Sequence, residues 1–449
     1  MLLYFCLHSV GVAEVQEFTL DNGLRLIVSV DQRAPVVVSQ IWYKVGGSYE
    51  SPGKIGISHV LEHMMFKGTQ RYAPGEFSRI MAAEGAEENA FTSMDYTAYF
   101  QTLEKSRLAL SFEMEADRMR YLVLDETEFA KERQVVLEER RTRVEDEPVS
   151  ILYEHFKATA FQSSPYRQPL GGRQTDIKNI TLEDLKTWYQ RWYAPNNATL
   201  VVVGDVEPQA VLNLAQKYFG DFKSSTITPP TPRPEVEQFG VKRITVKRPA
   251  KLPYLIMGYK VPVLNTIAPE DNWEVYALNV LAYLLDGGES ARLSKNLVRG
   301  QHIATTVSAS YDMFSRLEDL FTFSGVPTEG HTVAELETAL NAQIEQLKNQ
   351  LVDEVELKRI KTQLQASEIY ERDSIFYQGM KIGILETVGL NWQLLDQYLD
   401  NISQVTAEQV RVVARKYLTT DRLTVGVLDP QPLPTPQQPP QVPMIGGIH

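Results

Sequence analysis

The feature that most restricts the fold of this 449-residue chain is a layout that occurs twice, about 225 residues apart. The first copy runs from Thr181 to Asp205 and the second from Thr406 to Leu428. Each is typical of a capped helix followed by a buried strand. We therefore predict that the chain is a duplication of one unit of helices and strands. Only the first half contains a cluster of histidine and glutamate.

Composition and a proline-rich run divide the chain into segments. A hydrophobic content of 43% is enough for two or three domains with their own cores. A run rich in proline and threonine near the middle, from Thr226 to Pro234, is typical of a linker. The predicted segments are a possible signal remnant at 1–14, an N-terminal domain at 15–224, a Pro-rich linker at 225–239, a homologous C-terminal domain at 240–429, and a Pro- and Gln-rich tail at 430–449.

The location of the protein is predicted from the first thirteen residues. Met1 to Ala13 form an apolar run that is similar to the end of a secretory signal, although a basic segment before it is missing. The alternative is an apolar N-terminal strand. The run favours the bacterial periplasm, with the cytoplasm as the alternative. No later apolar run reaches the roughly 18 residues that span a bilayer, and a formal charge of -12 argues against a nucleic-acid partner.

Two of the seven histidines, His59 and His63, lie four residues apart with Glu62 between them. Because an α-helix turns by about 100° per residue, the three side chains share one face of a helix. Histidines at this spacing bind zinc, and the His-x-x-Glu-His order is the inverted zincin pattern. The alternative is a pair of ordinary helix histidines. Since Cys6 is the only cysteine, any metal must be held by histidine and carboxylate.

A second helical pattern, over 126–146, offers a further ligand. Glu132 and Glu139 are seven residues apart and lie on one face, whereas Glu138 points about 100° away. A helix this rich in Glu and Arg is usually a solvated face. A zinc ion in a hydrolase, however, normally takes three protein ligands and leaves a fourth position for water. A carboxylate from this other helix is therefore the natural third ligand.

Between these helices, residues 85–100 alternate like a pair of strands. An exposed strand edge here would pair with an extended peptide. An ordinary sheet edge is an equally good interpretation of the same pattern.

Taken together, these motifs resemble those of the pitrilysin/insulinase-type zinc metallopeptidases, in the half-length branch that includes mitochondrial processing peptidase. The resemblance covers nearly all of residues 15–428. The matching motifs, in the order of the family, are His59–His63, Asn89–Ser93, Glu132 with Glu139, Ser164–Tyr166 and Tyr193–Asn197.

The resemblance implies a fold and a set of roles. The fold is α+β, with two homologous halves that are each a mainly antiparallel sheet flanked by helices, and pairs of such chains close around a chamber for short or unfolded peptides. The implied roles are metal ligands for one Zn2+ per chain at His59, His63 and Glu139, a general base at Glu62, a second acidic position supporting the site at Glu132, and a substrate-binding edge strand at Asn89, Ala90, Phe91 and Thr92. The implied activity is a zinc metalloendopeptidase.

One departure from the family concerns an Arg and, seven residues later, a Tyr that active members use to bind substrate. The corresponding positions here are Val298 and Thr305, or Arg299 and Thr306 after a shift by one residue. The resemblance then implies a zinc-bearing catalytic subunit whose homologous, non-zinc partner supplies the Arg and Tyr.

Two alternatives follow from the same departure. The first is a structural or assembly subunit without activity. The second is a self-sufficient homodimeric peptidase that uses Arg292, Arg299 or Tyr311 in place of the missing pair.

Overall fold

The first half of the chain forms one sheet covered by helices. A computed structural model describes residues 15–231 and 233–433. In the described part of this half the strands are β1 Val15–Thr19, β2 Arg25–Val30, β3 Val36–Tyr43, β4 Glu87–Thr92, β5 Thr97–Glu104 and β6 Ala198–Gly204. The helices are α1 Ile57–Met64, α2 Glu76–Ala83, α3 Leu108–Tyr121, α4 Glu126–Arg140, α5 Pro148–Ala160, α6 Gln174–Asn179, α7 Leu182–Trp192 and α8 Pro208–Phe219. The strand order is β1-β2-β6-β3-β5-β4, so β4 is an edge strand.

The second half repeats this arrangement. Its strands in the described residues are β7 Lys242–Pro249, β8 Tyr254–Val261, β9 Ala304–Ser310, β10 Asp319–Pro327 and β11 Leu423–Gln431. Its helices are α9 Trp273–Asp286, α10 Val333–Asn349, α11 Glu354–Glu371, α12 Ile375–Val388, α13 Leu394–Gln404 and α14 Ala407–Tyr417.

The five strands of the second sheet correspond in order to five of the six strands of the first. The order β7-β11-β8-β10-β9 matches β2-β6-β3-β5-β4 strand by strand. In the first sheet β6 runs parallel to β2 and antiparallel to β3, and in the second β11 runs parallel to β7 and antiparallel to β8. The predicted α+β class and the duplication of a mainly antiparallel unit are therefore confirmed.

The repeated segment has the same local chemistry in both halves. Thr181 begins α7 with a capping box to Asp184, and Thr406 begins α14 with a capping box to Gln409. These reciprocal bonds satisfy backbone groups that have no partner inside a helix. Each helix is followed by an inner strand of its sheet, with a parallel neighbour on one side and an antiparallel neighbour on the other, and β6 is buried over its whole length.

Each half contributes one helix to the sheet of the other. Helix α5 packs on β7, β8 and β11, whereas α12 packs on β3 and β6. Glycines permit this close approach, since a Cβ on Gly383 of α12 would lie 2.0 Å from the Trp42 ring, and one on Gly258 of β8 would lie 2.7 Å from the Phe156 ring of α5. The predicted segments 15–224 and 240–429 thus share packing on both sheets. Their status as separate domains stays a prediction.

The predicted linker is anchored by a buried ion pair. Lys260 lies 2.6 Å from a carboxylate oxygen of Glu235, with side chains 5% and 1% exposed. The backbone N–H groups of Gln162, Ser163 and Ser164 also donate to Glu235. Burial acts to raise the pKa of Glu235, but the Lys260 ammonium and these backbone donors lower it to about 2.

The predicted signal remnant lies outside the described residues, as does most of the predicted tail. Strand β11 continues through Gln431, so the first two residues of that tail lie in a strand. Among the helices of the described part of the chain, none has both the length and the apolar character needed to cross a membrane.

Candidate metal centre

Helix α1 is held at its N-terminus by Glu50. The N-cap residue, Gly56, has a φ of 95° and no capping side chain. The Glu50 carboxylate instead accepts the backbone N–H groups of Gly56 at 2.6 Å and Ser58 at 2.8 Å. Burial raises the pKa of Glu50, and the two N–H donors oppose that rise. The position of the motif helix therefore depends on the segment that carries Glu50.

Three side chains from two helices meet beside α1. Oε2 of Glu139, on α4, lies 3.2 Å from Nε2 of His63 and 3.7 Å from Nε2 of His59. One potential ligand atom of each residue lies within 4.8 Å of the other two. Within residues 15–231 and 233–433, this is the one group of His, Cys, Asp or Glu side chains that meets this criterion. The structure thus brings together the three residues that the family resemblance assigns to zinc.

This donor set suits a zinc ion in number, kind and spacing. Ligand atoms about 2.1 Å from a tetrahedral ion lie roughly 3.4 Å apart, close to both distances from Glu139. Burial, followed by the neighbouring His63, lowers the pKa of His59 to about 4. The His59 ring is therefore neutral at pH 7 and keeps a lone pair for a metal.

Further side chains contact His63 and Glu139 on the sides that face away from the meeting point. Nδ1 of His63 lies 3.2 Å from Oε2 of Glu132, and the other oxygen of Glu132 lies 2.7 Å from Nζ of Lys67. Oε1 of Glu139 lies 2.5 Å from Nη1 of Arg143, which leaves Oε2 facing the two histidines. Contacts of this kind orient metal ligands. Lys67 and Arg143 were missed in the sequence, although the spacing of four between Glu139 and Arg143 is a signal for an ion pair.

Glu62 lies on the same helix as the two histidines and contacts the edge strand. Oγ1 of Thr92, on β4, donates a hydrogen bond to Oε2 of Glu62. Burial raises the pKa of Glu62, and the Thr92 donor acts in the opposite direction. A carboxyl whose pKa is shifted toward neutrality is suited to proton transfer.

The four predicted substrate-binding residues lie on β4, but their side chains divide between its two faces. Thr92 faces the motif helix, and Ala90 packs in the core beneath it. Phe91 packs against Trp42 on the opposite face, and Asn89 shares that face because side chains alternate along a strand. Asn89 and Phe91 therefore contribute only backbone groups on the side of the motif.

The positions expected to carry the Arg and Tyr of active family members hold other side chains, at and just before β9. Val298 packs against the core of the second half, and Thr305 is exposed on β9, an edge strand.

All three suggested substitutes are engaged in internal contacts. Arg292 forms a two-bond ion pair with Glu356. Tyr311 donates to the carbonyl of Pro262 at 2.6 Å. The Arg299 side chain is exposed, and its guanidinium donates to the backbone carbonyl of Glu289.

Two family models match the chain side by side. The model described as "Insulinase (Peptidase family M16)" matches residues 26–174, which hold the motif and the two glutamates on α4. The model described as "Peptidase M16 inactive domain" matches residues 179–364. The boundary between the matches precedes α7.

Several known proteins and solved structures are similar to this chain. The zinc protease PqqE of Helicobacter pylori is 35% identical over 363 residues, covering 80% of each chain. The uncharacterized zinc protease YmxG of Bacillus subtilis is 24% identical over 407 residues, covering 91% of this chain and 96% of the relative. A crystal structure of a protease from Helicobacter pylori has a TM-score of 0.88 at 32% identity, covering 93% of this chain and all of that one.

The fold is also similar to that of the periplasmic protease PqqL from Escherichia coli. That chain has a TM-score of 0.78 at 17% identity, and the match covers 94% of this chain but 48% of the other. At this identity the likeness concerns the fold alone.

Proposed function

The chain belongs to the M16 insulinase family of zinc peptidases, and on that premise we propose that it is the catalytic subunit of a two-chain zinc endopeptidase. The observation that carries the proposal is the meeting of His59, His63 and Glu139, with Glu62 on the same helix as the two histidines. The reaction is hydrolysis of a peptide bond in a short or unfolded peptide.

The residues that would hold the metal are His59, His63 and Glu139. Zinc bound there supplies a Lewis acid that polarises a carbonyl and lowers the pKa of water. Glu132 orients His63 through Nδ1, and Arg143 engages the outer oxygen of Glu139. Both contacts keep the ligand atoms directed toward one point.

Glu62 moves the proton during hydrolysis. Its carboxylate takes a proton from the attacking water as the new C–O bond forms, and gives that proton to the leaving nitrogen as the C–N bond breaks. Burial raises the pKa of Glu62, which makes its carboxylate a stronger base and so favours the first transfer. The hydrogen bond from Thr92 holds one carboxylate oxygen, so the other remains for the proton.

The edge strand β4 is the proposed substrate-binding element. Its outer side has no neighbouring strand within the described residues, so an extended peptide would add to the sheet there by main-chain hydrogen bonds. Because Thr92 lies at the end of β4 beside Glu62, a peptide on this edge runs past the proposed general base.

The partner is inferred from what the second half offers. The Val298 side chain has no hydrogen-bond donor, and Thr305 offers only a short hydroxyl in place of a Tyr. Arg292 and Tyr311 do not replace the missing pair, because they are already bonded to Glu356 and Pro262. We therefore include a homologous, non-zinc subunit in the proposal. A homodimer that uses Arg299 is the alternative, because its side chain is exposed.

A purely structural subunit is the other alternative. It has no physical need for three convergent ligands, a half-buried glutamate beside them and outer contacts to His63 and Glu139, since burying polar groups costs free energy unless they are paired.

The test is hydrolysis of a quenched fluorescent peptide library by the purified chain. Wild type and Glu62→Gln are assayed side by side, with zinc content measured on both and with Glu138→Gln as a control on the exposed face of α4. Stoichiometric zinc with activity that appears only after the partner is added supports the proposal. Strong activity of the chain alone supports the homodimer, and activity that survives Glu62→Gln contradicts the assigned mechanism.

The proposed location is the periplasm. It rests on the apolar run at residues 1–13. Cell fractionation with an antibody to the chain tests it, and recovery in the cytoplasmic fraction contradicts it.

A further inference from the structure

A buried polar cluster connects the second half of the chain to the first. Arg316, in the loop between β9 and β10, donates from Nε to Asp95 at 3.0 Å and from Nη2 to the hydroxyl of Ser48 at 2.7 Å. Ser48 donates to Asp95 at 2.6 Å, and the Tyr166 hydroxyl donates to the other Asp95 oxygen. The Arg316 guanidinium also lies 4.5 Å from the ring centre of Tyr49.

Arg316 is the cation that balances this cluster. Asp95, Ser48 and Tyr166 are each 4% or less exposed, and a buried carboxylate is costly unless it is paired and hydrogen-bonded. Within the described residues, Arg316 is the one cationic side chain in ion-pair contact with Asp95. Removal of the guanidinium therefore leaves an unbalanced charge between the two halves.

One side of the cluster leads to helix α1. Ser48 lies two residues before Glu50, whose carboxylate accepts the first N–H groups of the helix that carries His59 and His63. The backbone N–H of Ser48 donates to the carbonyl of Met94 at 2.6 Å. The segment that supports the helix thus packs directly on the turn that contains Asp95.

The other side leads to Glu62. Asp95 lies in the turn between β4 and β5, three residues after Thr92, the donor to Glu62. The backbone N–H of Ser93 donates to the carbonyl of Tyr96 at 2.8 Å and closes this turn. A shift of Asp95 therefore moves the end of the strand that contacts the proposed base.

We propose that Arg316 is a positioning residue, through which the second half sets the geometry of the metal centre. It acts by two routes. The first runs through Ser48 and Glu50 and sets the position of the two histidines. The second runs through Asp95 and Thr92 and sets the position of Glu62. The inference deepens the proposed function and rests on it. It gives the half without metal ligands a defined part in the site.

The first experiment measures zinc affinity by competition with a chelating dye, so it needs no turnover. Arg316→Ala should weaken zinc binding by about tenfold, the lower end of the loss that follows removal of a support to a metal ligand. In a Glu50→Gln background the same change should weaken it by less than about twofold, because residues acting on one route are not additive.

The control variant is Lys157→Ala. Lys157 lies 2.9 Å from Asp319, three residues after Arg316, and this pair also joins the two halves but touches neither Ser48 nor Asp95. It should leave the zinc affinity unchanged. Equal losses in Arg316→Ala and Lys157→Ala, or additive losses with Glu50→Gln, overturn the proposal.

The second experiment separates kcat from KM with zinc at saturation and any required partner present. Arg316→Ala should lower kcat by about tenfold with KM within about twofold, and the effect on kcat should shrink in a Thr92→Val background. An equal effect of Arg316→Ala with and without Thr92→Val overturns this route. If wild type shows no hydrolysis, the proposed function fails, while the zinc titration still decides the role of Arg316.

Arg316→Lys keeps the test open if Arg316→Ala does not fold. Lysine retains the charge but cannot make both bonds of the planar guanidinium. Arg316→Lys should fold as wild type does and show a smaller loss of zinc affinity that again disappears in the Glu50→Gln background. Wild-type zinc affinity and kcat in Arg316→Lys contradict the proposal.

Discussion

Nδ1 of His63 lies 3.2 Å from Oε2 of Glu132. Because an ionised carboxylate only accepts hydrogen bonds, this contact places the proton of the neutral ring on Nδ1 and leaves the lone pair on Nε2. Nε2 is the atom that faces Glu139, at 3.2 Å. Glu132 thus selects the tautomer that a metal at this point requires.

Replacement of Glu132 should weaken the metal site without removing a ligand. We expect Glu132→Gln to lower zinc affinity by about tenfold, since outer partners of ligating histidines typically contribute that much. Chelator competition measures this change. Glu138→Gln, on the same helix with a side chain 61% exposed, should bind zinc as wild type does, and an equal loss in both variants contradicts the role of Glu132.

Arg143 should make a smaller contribution through Glu139. Its side chain is 77% exposed, and exposed ion pairs are weak. We expect Arg143→Ala to lower zinc affinity by about threefold, measured in the same competition assay. Arg141→Ala, which removes an arginine paired with Glu138, serves as the matched variant and should have no effect.

Helix α12 should not tolerate a side chain at Gly383. A Cβ there would lie 2.0 Å from the fully buried Trp42 ring, so we expect Gly383→Ala to lower the free energy of unfolding by about 3 kcal/mol. The Cβ of Gly379→Ala on the same helix would meet the terminal amide of Gln40 at 2.9 Å, a side-chain end that can shift more readily than the Trp42 ring. The cost of this substitution should be near zero, because alanine also gains about 1 kcal/mol of helix propensity. Urea unfolding of both variants compares them, and equal costs would falsify the packing argument.

The Glu235–Lys260 pair should make stability depend on pH. The pKa of Glu235 in the folded protein, about 2, lies below the ordinary value of 4.5. The stability that the pair contributes is therefore present above about pH 4.5 and is lost as the pH falls toward about 2. We expect Glu235→Gln to reduce stability by about 2 to 3 kcal/mol at pH 7, with a smaller difference from wild type at pH 4. Thermal unfolding at both pH values measures it. Glu237→Gln, at an exposed position nearby, should match wild type at each pH.

The parts of the site that were predictable are those that depend on neighbouring residues. The motif helix over 57–64 and the shared face of His59, Glu62 and His63 follow from the rotation of a helix. The repeated capped helix and strand were visible for the same reason, since a cap and an apolar run involve residues a few positions apart. The duplicated topology then followed from their recurrence.

Spacing alone did not show which of the two glutamates on α4 is the metal ligand. Glu132 and Glu139 share a face of the helix, and only the packing of α4 on α1 directs Glu139 to the inner nitrogens and Glu132 to the outer one. Family resemblance had assigned these positions, but the residue pattern alone left both open.

The long-range contacts could not be predicted from any local pattern in the sequence. Nothing near Glu50 indicates that it caps α1, and nothing near Arg316 indicates that it reaches Asp95, 221 residues away. The exchange of α5 and α12 between the sheets is of the same kind. Local patterns report how the backbone turns, because that depends on interactions between residues close together in the sequence. Contacts between distant segments depend on how two sheets and their helices fill space together, and this is why they emerged only in the folded chain.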